Sequence, residues 1–333
     1  MEELLEEVLQ KKSVSDVAQS LSLCTGTIRR WLDLKSVPQQ YRFDLLKLLG
    51  REILYENFTS KEKDQFFTPK ELAAHCWEVF QKLFDTTEYT FIEPSAGDGS
   101  FVKILPAGAI AMDIEPRYEG IVRQDYLAWK PPPGNYIVFG NPPFGLRGNL
   151  ALQFINHSAQ FADYVCFILP QLFESDGKGS PRKRIKGLNL VHSENISSIF
   201  YTPEKENVKV NGVFQIWSKH SKNSEYSISK PVTNKMRVYS LSNGGTVAST
   251  RNKDMIDRCD IYIPSTCFGR DAMRIYETFE ELPNGKGYGI VFHENKQTMI
   301  EKARSIEWSN VAFLSTNSAL NLRTSLIHAQ FEA

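Results

Sequence analysis

The sequence predicts an α/β protein: a parallel sheet of the nucleotide-binding type, a small helical domain before it, and a mixed α and β region after it. Three observations predict this. Short β-prone runs that end in a carboxylate or an amide recur at Thr90–Glu93, Ala109–Asp113, Ile121–Asp125 and Asn135–Asn141. Polar residues at successive strand ends line one crevice in such sheets. A further run, Tyr164-Val165-Cys166-Phe167-Ile168-Leu169-Pro170, is apolar throughout, as a strand covered on both faces must be. Upstream, Val17, Ala18, Leu21, Leu23, Ile28, Trp31 and Leu32 recur at helical spacing. A chain of 333 residues holds two or three units. The boundaries fall at residues 1–57, 58–221 and 222–333.

Residues 1–57 read as all helix, and Val14–Trp31 fits a helix-turn-helix. Ala18 is small enough for close helix packing, Ser22 stands at the turn where glycine is favoured, and Ile28 supplies the apolar position in the second helix. Thr25-Gly26-Thr27 opens that helix and presents Thr27, Arg29 and Arg30 outward, as a DNA-reading helix would. A helical hairpin used only for packing or dimerisation is the alternative. Lys61–Gln65 is charged and reads as a linker.

The run Thr90-Phe91-Ile92 leads into Glu93-Pro94-Ser95-Ala96-Gly97-Asp98-Gly99-Ser100-Phe101. Strand, glycine loop and helix start form a cradle, because glycines let the backbone approach a ligand closely. The spacing is not that of a dinucleotide site, and no phosphate-binding lysine follows. Acidic residues at both ends of the loop favour a cationic amine, such as the amino-acid end of S-adenosylmethionine. Asp113 ends the next strand, where a carboxylate can take both ribose hydroxyls, and Ile114 behind it can lie on an adenine face. Asp125, followed by Tyr126, ends the third strand and can accept from an adenine amino group.

Asn141-Pro142-Pro143-Phe144 follows the fourth strand. The Asn side-chain oxygen and the carbonyl of the first proline can each accept a hydrogen bond from one exocyclic amine, and the Phe ring can cover a planar base. Prolines fix φ and keep that carbonyl pointed.

These segments resemble the S-adenosylmethionine-dependent amino methyltransferases of DNA, in the order with the cofactor motif before the catalytic motif. The matching residues are Phe67-Thr68-Pro69, Glu93-Pro94-Ser95-Ala96-Gly97-Asp98-Gly99 and Asn141-Pro142-Pro143-Phe144, and the resemblance covers roughly Gln65–Lys219. It implies a Rossmann-like methyltransferase sheet, with Phe67, Thr68 and Pro69 over the methionine part of the cofactor. It implies adenine N6 as the target and a base flipped out of double-stranded DNA. An aromatic from the later hairpin would stack on that base, with Phe200 or Tyr201 as candidates. A cognate restriction endonuclease is a partner that this resemblance allows. The same tetrapeptide chemistry serves RNA adenine N6 and glutamine amides, and a DNA-binding regulator with a nucleotide-sensing domain is a rival of another class.

Past the strand at 164–170, Ser175–Lys186 carries Lys178, Arg182, Lys183, Arg184 and Lys186 among Gly, Ser and Pro. Such a stretch is either a solvated charge run or a phosphate contact. Ile199–Pro203 and Val210–Trp217 read as a closing β-hairpin. Residues 222–333 mix short strands, such as Asp260–Pro264, with turns such as Asn284-Gly285, and resemble a target-recognition region. A structural extension that binds nothing is the alternative. Lys plus Arg equals Asp plus Glu at 39 each, so any nucleic acid must be held by local clusters. Five scattered cysteines without a C-x-x-C pair point to a reducing compartment and away from zinc, and the six histidines show no ligand spacing. With no apolar run of about 18 residues and an acidic start, the chain reads as intracellular, cytoplasmic or nucleoid-associated.

Overall fold

Strands form on the apolar runs at residues 90–93, 110–113, 136–140 and 164–170. The computed structural model describes the chain apart from residues 22, 52, 61, 175–179, 221–232, 243–257, 278–285, 315–318 and 332–333. The strands β1 (Thr90–Glu93), β2 (Ile110–Asp113), β3 (Val122–Arg123), β4 (Tyr136–Gly140), β5 (Tyr164–Pro170), β6 (Asn189–Tyr201) and β7 (Asn207–Ser218) form one sheet in the order β3-β2-β1-β4-β5-β7-β6. The pairs β1–β2, β2–β3, β1–β4 and β4–β5 are all parallel. Every residue of β4 is buried, as the central strand of a covered sheet requires.

The strand order reverses between β1 and β4. Ile92 pairs with Val138 on β4 and with Ile110 on β2, so the carboxyl ends of β1 and β4 lie side by side. In a doubly wound sheet the crevice outside that reversal is where ligands bind. Glu93 closes β1, Asp113 closes β2 and Asn141 follows β4, so the topology gathers at one edge the residues that the sequence spreads over some fifty positions.

By contact density the chain forms two units, Met1–Phe167 with Ser198–Val210, and Ile168–Ser197 with Asn211–Ala333. The first contains α1 (Glu2–Lys11), α2 (Val14–Ser20), α3 (Thr25–Asp33), α4 (Arg42–Leu48), α5 (Lys70–Leu83) and α6 (Asn149–Ser158). Helices α1 to α4 share a core of Leu5, Val8, Val17, Ile28, Trp31 and Leu45. A capping box starts α2: Ser13 Oγ accepts from the Asp16 N–H at 3.1 Å, and the Asp16 carboxylate accepts from the Ser13 N–H at 3.2 Å.

The second unit carries β8 (Met236–Ser242), β9 (Ile261–Pro264), β10 (Thr266–Cys267), β11 (Lys286–Phe292), β12 (Phe313–Leu314) and β13 (Leu320–Asn321). They pair as two small sheets, β8-β11-β9 and β10-β13-β12. Helices α7 (Lys296–Ser305), α8 (Trp308–Val311) and α9 (Thr324–Ala329) pack with Ile261, Ile263, Ile290, Trp308 and Phe331 into its core.

The structure departs from expectation in four places. The segment after Gly99 does not start a helix; it makes single turns, closed by Lys103 N–H to Gly99 O and Leu105 N–H to Phe101 O. Pro106 follows at once and cannot donate to a continuing helix. The third strand shrinks to Val122–Arg123 and gives way to a 3-10 turn at Tyr126–Ala128, because the Asp125 side chain accepts from the Leu127 N–H and turns the chain. The N-terminal helices stop at Leu48, with Gly50 in the left-handed region just beyond. The charged stretch read as a linker is instead fastened to the site. Ser22, Lys61, Lys178 and Asn284-Gly285, used in the sequence reading, lie outside the described residues.

Candidate active site

The glycine loop after β1 is held by the carboxylate of Asp113. Asp113 Oδ2 accepts from the Gly97 N–H at 2.8 Å and its Oδ1 accepts from the Glu115 N–H at 2.7 Å. Burial raises its pKa, and those two N–H groups oppose the rise. Gly97 has φ +50°, and a Cβ there would meet the Phe67 ring at 2.8 Å. Phe67 is therefore a lid laid directly on the loop, and only glycine fits beneath it.

Glu93 is 2% exposed, and its Oε2 has no hydrogen-bond partner. Burial, with the charges of Asp113 and Asp98 added, pushes its carboxyl well above the usual range. A buried acceptor left without a donor marks a place for a ligand donor. The crevice around it is lined by Phe67, Thr68, Glu93, Ser95, Gly97, Asp98 and Asn141. An orphaned carboxylate, a second acid at Asp98 and a cradle that a Cβ would fill suit a ligand that ends in an ammonium. S-adenosylmethionine fits that description.

A second cavity adjoins Asn141 and is lined by Asp64, Phe66, Asn141, Pro142, Phe144, Phe200 and Val210. Asn141 Nδ2 donates to the Phe66 carbonyl at 3.1 Å. A carbonyl can only accept, so this bond fixes which end of the amide is Nδ2. The other end, Oδ1, is buried and has no partner. The Asn141 carbonyl in turn accepts from Ser95 Oγ at 3.1 Å, which ties the tetrapeptide to the glycine loop. The arrangement presents one oriented acceptor between aromatic side chains, beside the acidic crevice.

Ser60 and residues 63–67 are fastened along this site. Ser60 Oγ donates to Glu204, Lys63 Nζ pairs with Glu115 at 2.8 Å, and Gln65 Nε2 reaches Glu115 at 3.4 Å. Asp64 Oδ2 accepts from the Gly145 N–H at 2.6 Å, and Phe67 exchanges both backbone hydrogen bonds with Tyr201. Asp64, Lys63, Phe66 and Glu115 are site residues that the sequence reading missed. The signal was present in the unbroken run from Asp64 into Phe66-Phe67-Thr68-Pro69, but a charged stretch is ordinarily solvated.

The structure gathers Phe67, Thr68, Glu93, Ser95, Ala96, Gly97, Asp98 and Asn141 in the crevice, with Asp113 behind the loop and Gly99 at its turn. Pro69 caps α5 and Ile114 is half-buried beside Asp113. Asp125 is engaged by the Leu127 N–H and lies 3.9 Å from Lys47 Nζ. Tyr126 is not brought to the crevice: it is fully buried against Phe154 and His157, with its hydroxyl on Ser158. Successive residues of β6 take opposite sides, so Phe200 lines the Asn141 cavity while the Tyr201 hydroxyl donates to Asp98 at 2.5 Å. Pro142 and Phe144 line the Asn141 cavity, and Pro143 is half-buried between them.

Thr27, Arg29 and Arg30 lie on α3, with both arginines exposed and Ile28 and Trp31 turned into the core. In the other unit, Pro181–Arg184 forms a 3-10 turn on which Lys183 and Arg184 are exposed, and Arg182 is half-buried. Lys186 is exposed just beyond it. Among the described residues no group of acidic, His and Cys side chains could hold a metal, and no helix is long and apolar enough to cross a membrane.

No protein-family model and no curated protein matches the sequence. Solved structures do match in part. A protein of Pyrococcus horikoshii described as an RNA methyltransferase is 15% identical, with 55% of this chain and 99% of that one covered at a TM-score of 0.38. A Listeria monocytogenes protein described as a class I S-adenosylmethionine-dependent methyltransferase is 16% identical, covering 69% and 91% at 0.35. A Vibrio vulnificus protein described as a modification subunit of a type I restriction enzyme is 11% identical, covering 70% and 60% at 0.33. Each likeness is partial.

Proposed function

We propose that this chain transfers the methyl group of S-adenosylmethionine to the exocyclic amine of a nucleobase, and that the base is adenine, methylated at N6 in double-stranded DNA. The observation that carries this reading is Asn141 Oδ1: a buried acceptor, oriented by the Phe66 carbonyl, without a partner, in a cavity walled by Phe66, Phe144 and Phe200. A planar amine satisfies such an acceptor and such walls together.

The cofactor, when bound, supplies an electrophilic methyl. The chain's residues supply position. Glu93 and Asp98 take the ammonium end, Asp113 sets the loop from behind, and Phe67 covers the middle. Asn141 Oδ1 and the Pro142 carbonyl hold the amine, drawing its lone pair out of conjugation and toward the methyl. Phe144 and Phe200 hold the ring plane. Most of the rate gain is orientation. A paired adenine cannot enter so small a cavity, so the base leaves the duplex first. The short α2–α3 pair with outward Arg29 and Arg30 favours duplex DNA as the substrate. The basic stretch at Arg182–Lys186 supplies a second candidate phosphate contact, and residues 222–333 a candidate target-recognition region.

The test offers S-adenosylmethionine with a tritiated methyl to unmethylated plasmid DNA and, separately, to total RNA, followed by single-molecule sequencing of the DNA. Label on plasmid adenines at a recurring sequence is the expected result. Label confined to RNA would move the same site to another polymer, and no label on either would reject amine methylation of nucleic acid.

A further inference from the structure

Asp64 sits in the Asn141 cavity, in a segment that reads as a linker. It lines that cavity together with Asn141, Pro142, Phe144 and Phe200. Its backbone is in the left-handed region, φ 51°, a conformation that a residue other than Gly, Asn or Asp adopts only at a cost. The Gly145 N–H holds Oδ2 at 2.6 Å, which fixes the carboxyl and leaves Oδ1 as its remaining acceptor. The residue keeps some solvent contact, but its carboxyl is packed in protein, and burial raises its pKa to about 6.

Taking the cavity as an amine-methylating site, we propose that Asp64 is a catalytic residue whose carboxylate accepts the proton that the target amine loses on methylation. The amine lone pair forms the N–C bond to the methyl, and the C–S bond breaks with its pair going to sulfur. The nitrogen is left cationic. One N–H bond then breaks, its pair staying on nitrogen and its proton passing to Asp64 Oδ1. Solvent takes that proton on product release.

Two features favour Asp64 for this role. Its neighbours around the cavity, Asn141, Pro142 and apolar side chains, do not take a proton near neutral pH. A carboxylate fixed among aromatic rings also stabilises the cationic nitrogen as it forms, which counts for more there than in water. The charged and titratable groups on the surrounding elements are engaged or set aside. Glu62 bonds Thr59, Lys63 pairs with Glu115, and Tyr201 beyond Phe200 bonds Asp98. Arg147, two residues beyond Gly145, has its charge near the Tyr41 hydroxyl, and Lys209 precedes Val210. Burial outweighs the Gly145 bond in setting the proton affinity of Asp64.

The test is single-turnover methyl transfer by the full chain, with tritiated S-adenosylmethionine on unmethylated plasmid DNA and on total RNA, from pH 5 to 8. The wild-type rate constant should be level above about pH 6 and fall about tenfold per pH unit below it. Asp64→Asn can keep the Gly145 bond through its amide oxygen, so the fold should survive, while the rate drops about 100-fold and the pH dependence disappears. A variant within threefold of wild type, or one that changes KM alone and keeps the wild-type pH profile, overturns the proposal. Should Asp64→Asn not fold, a wild-type profile flat from pH 5 to 8 overturns it as well. Activity lost in Asn141→Ala but kept in Asp64→Asn rejects Asp64 alone. No transfer by wild type to either polymer rejects the reading of the cavity itself.

Discussion

Replacing Asn141 by Ala should abolish methyl transfer while leaving the folded protein almost as stable as before. The structure supplies both halves of that expectation. The substitution removes one hydrogen bond, from Nδ2 to the Phe66 carbonyl at 3.1 Å, which is worth about 1 kcal/mol, and it leaves that carbonyl short of a donor. It also removes Oδ1, a buried acceptor without a partner, whose desolvation costs about 1–3 kcal/mol. The two effects oppose each other, so unfolding free energy should change by no more than about 1 kcal/mol. The loss of a preorganised partner at the reacting group should lower the turnover rate by about 100-fold to 1000-fold. S-adenosylmethionine affinity should hold, because Glu93, Asp98 and Asp113 are untouched. Denaturant unfolding, calorimetric titration with the cofactor and tritium transfer measure the three quantities. A turnover rate within a few-fold of wild type would remove Asn141 from the chemistry. A stability loss above about 3 kcal/mol would show that Oδ1 is satisfied inside the folded chain, and the argument from an orphaned acceptor would fail.

Three further outcomes follow from the same geometry. Asp113→Ala leaves the Gly97 and Glu115 N–H groups without their acceptor, at about 1–3 kcal/mol each, so it should lower the melting temperature as well as weaken cofactor binding about tenfold to a hundredfold; an unchanged dissociation constant in calorimetry would take Asp113 out of the site. Gly97→Ala puts a methyl 2.8 Å from the Phe67 ring at φ +50°, and should cost about 1–2 kcal/mol in backbone strain alone, with cofactor affinity falling alongside; thermal unfolding with and without the cofactor checks both. The Asp64 carboxyl is raised from 3.8 to about 6, so its stabilising contribution is complete below about pH 4 and is lost as pH rises through about 6. Wild type should therefore lose up to about 3 kcal/mol relative to Asp64→Asn between pH 4 and 7.5, and a stability gap between the two proteins that does not move with pH would refute the burial argument.

The sequence by itself determined the centre of the sheet. β4 and β5 are unbroken apolar runs, and a run of that kind has one low-energy place, between two covered neighbours. β1, β2 and β4 end where a polar residue interrupts the apolar pattern, so Glu93, Asp113 and Asn141 were legible as residues at one edge of the sheet. Helices α2 and α3 were legible for a similar reason, since their apolar residues recur at helical spacing.

What followed Gly99 and Asp125 was less legible, because turns there are decided by one proline and one capping side chain rather than by periodicity. Only the tertiary structure decided what residues 59–67 do. Their charges look solvated, and the partners that desolvate them, Glu115, Gly145, Tyr201 and Glu204, lie between roughly fifty and 145 residues further along the chain. The direction of the Asn141 amide was likewise invisible in the sequence. It is set by the carbonyl of Phe66, 75 residues away, and a hydrogen bond across that separation exists only once the sheet has brought its two ends together.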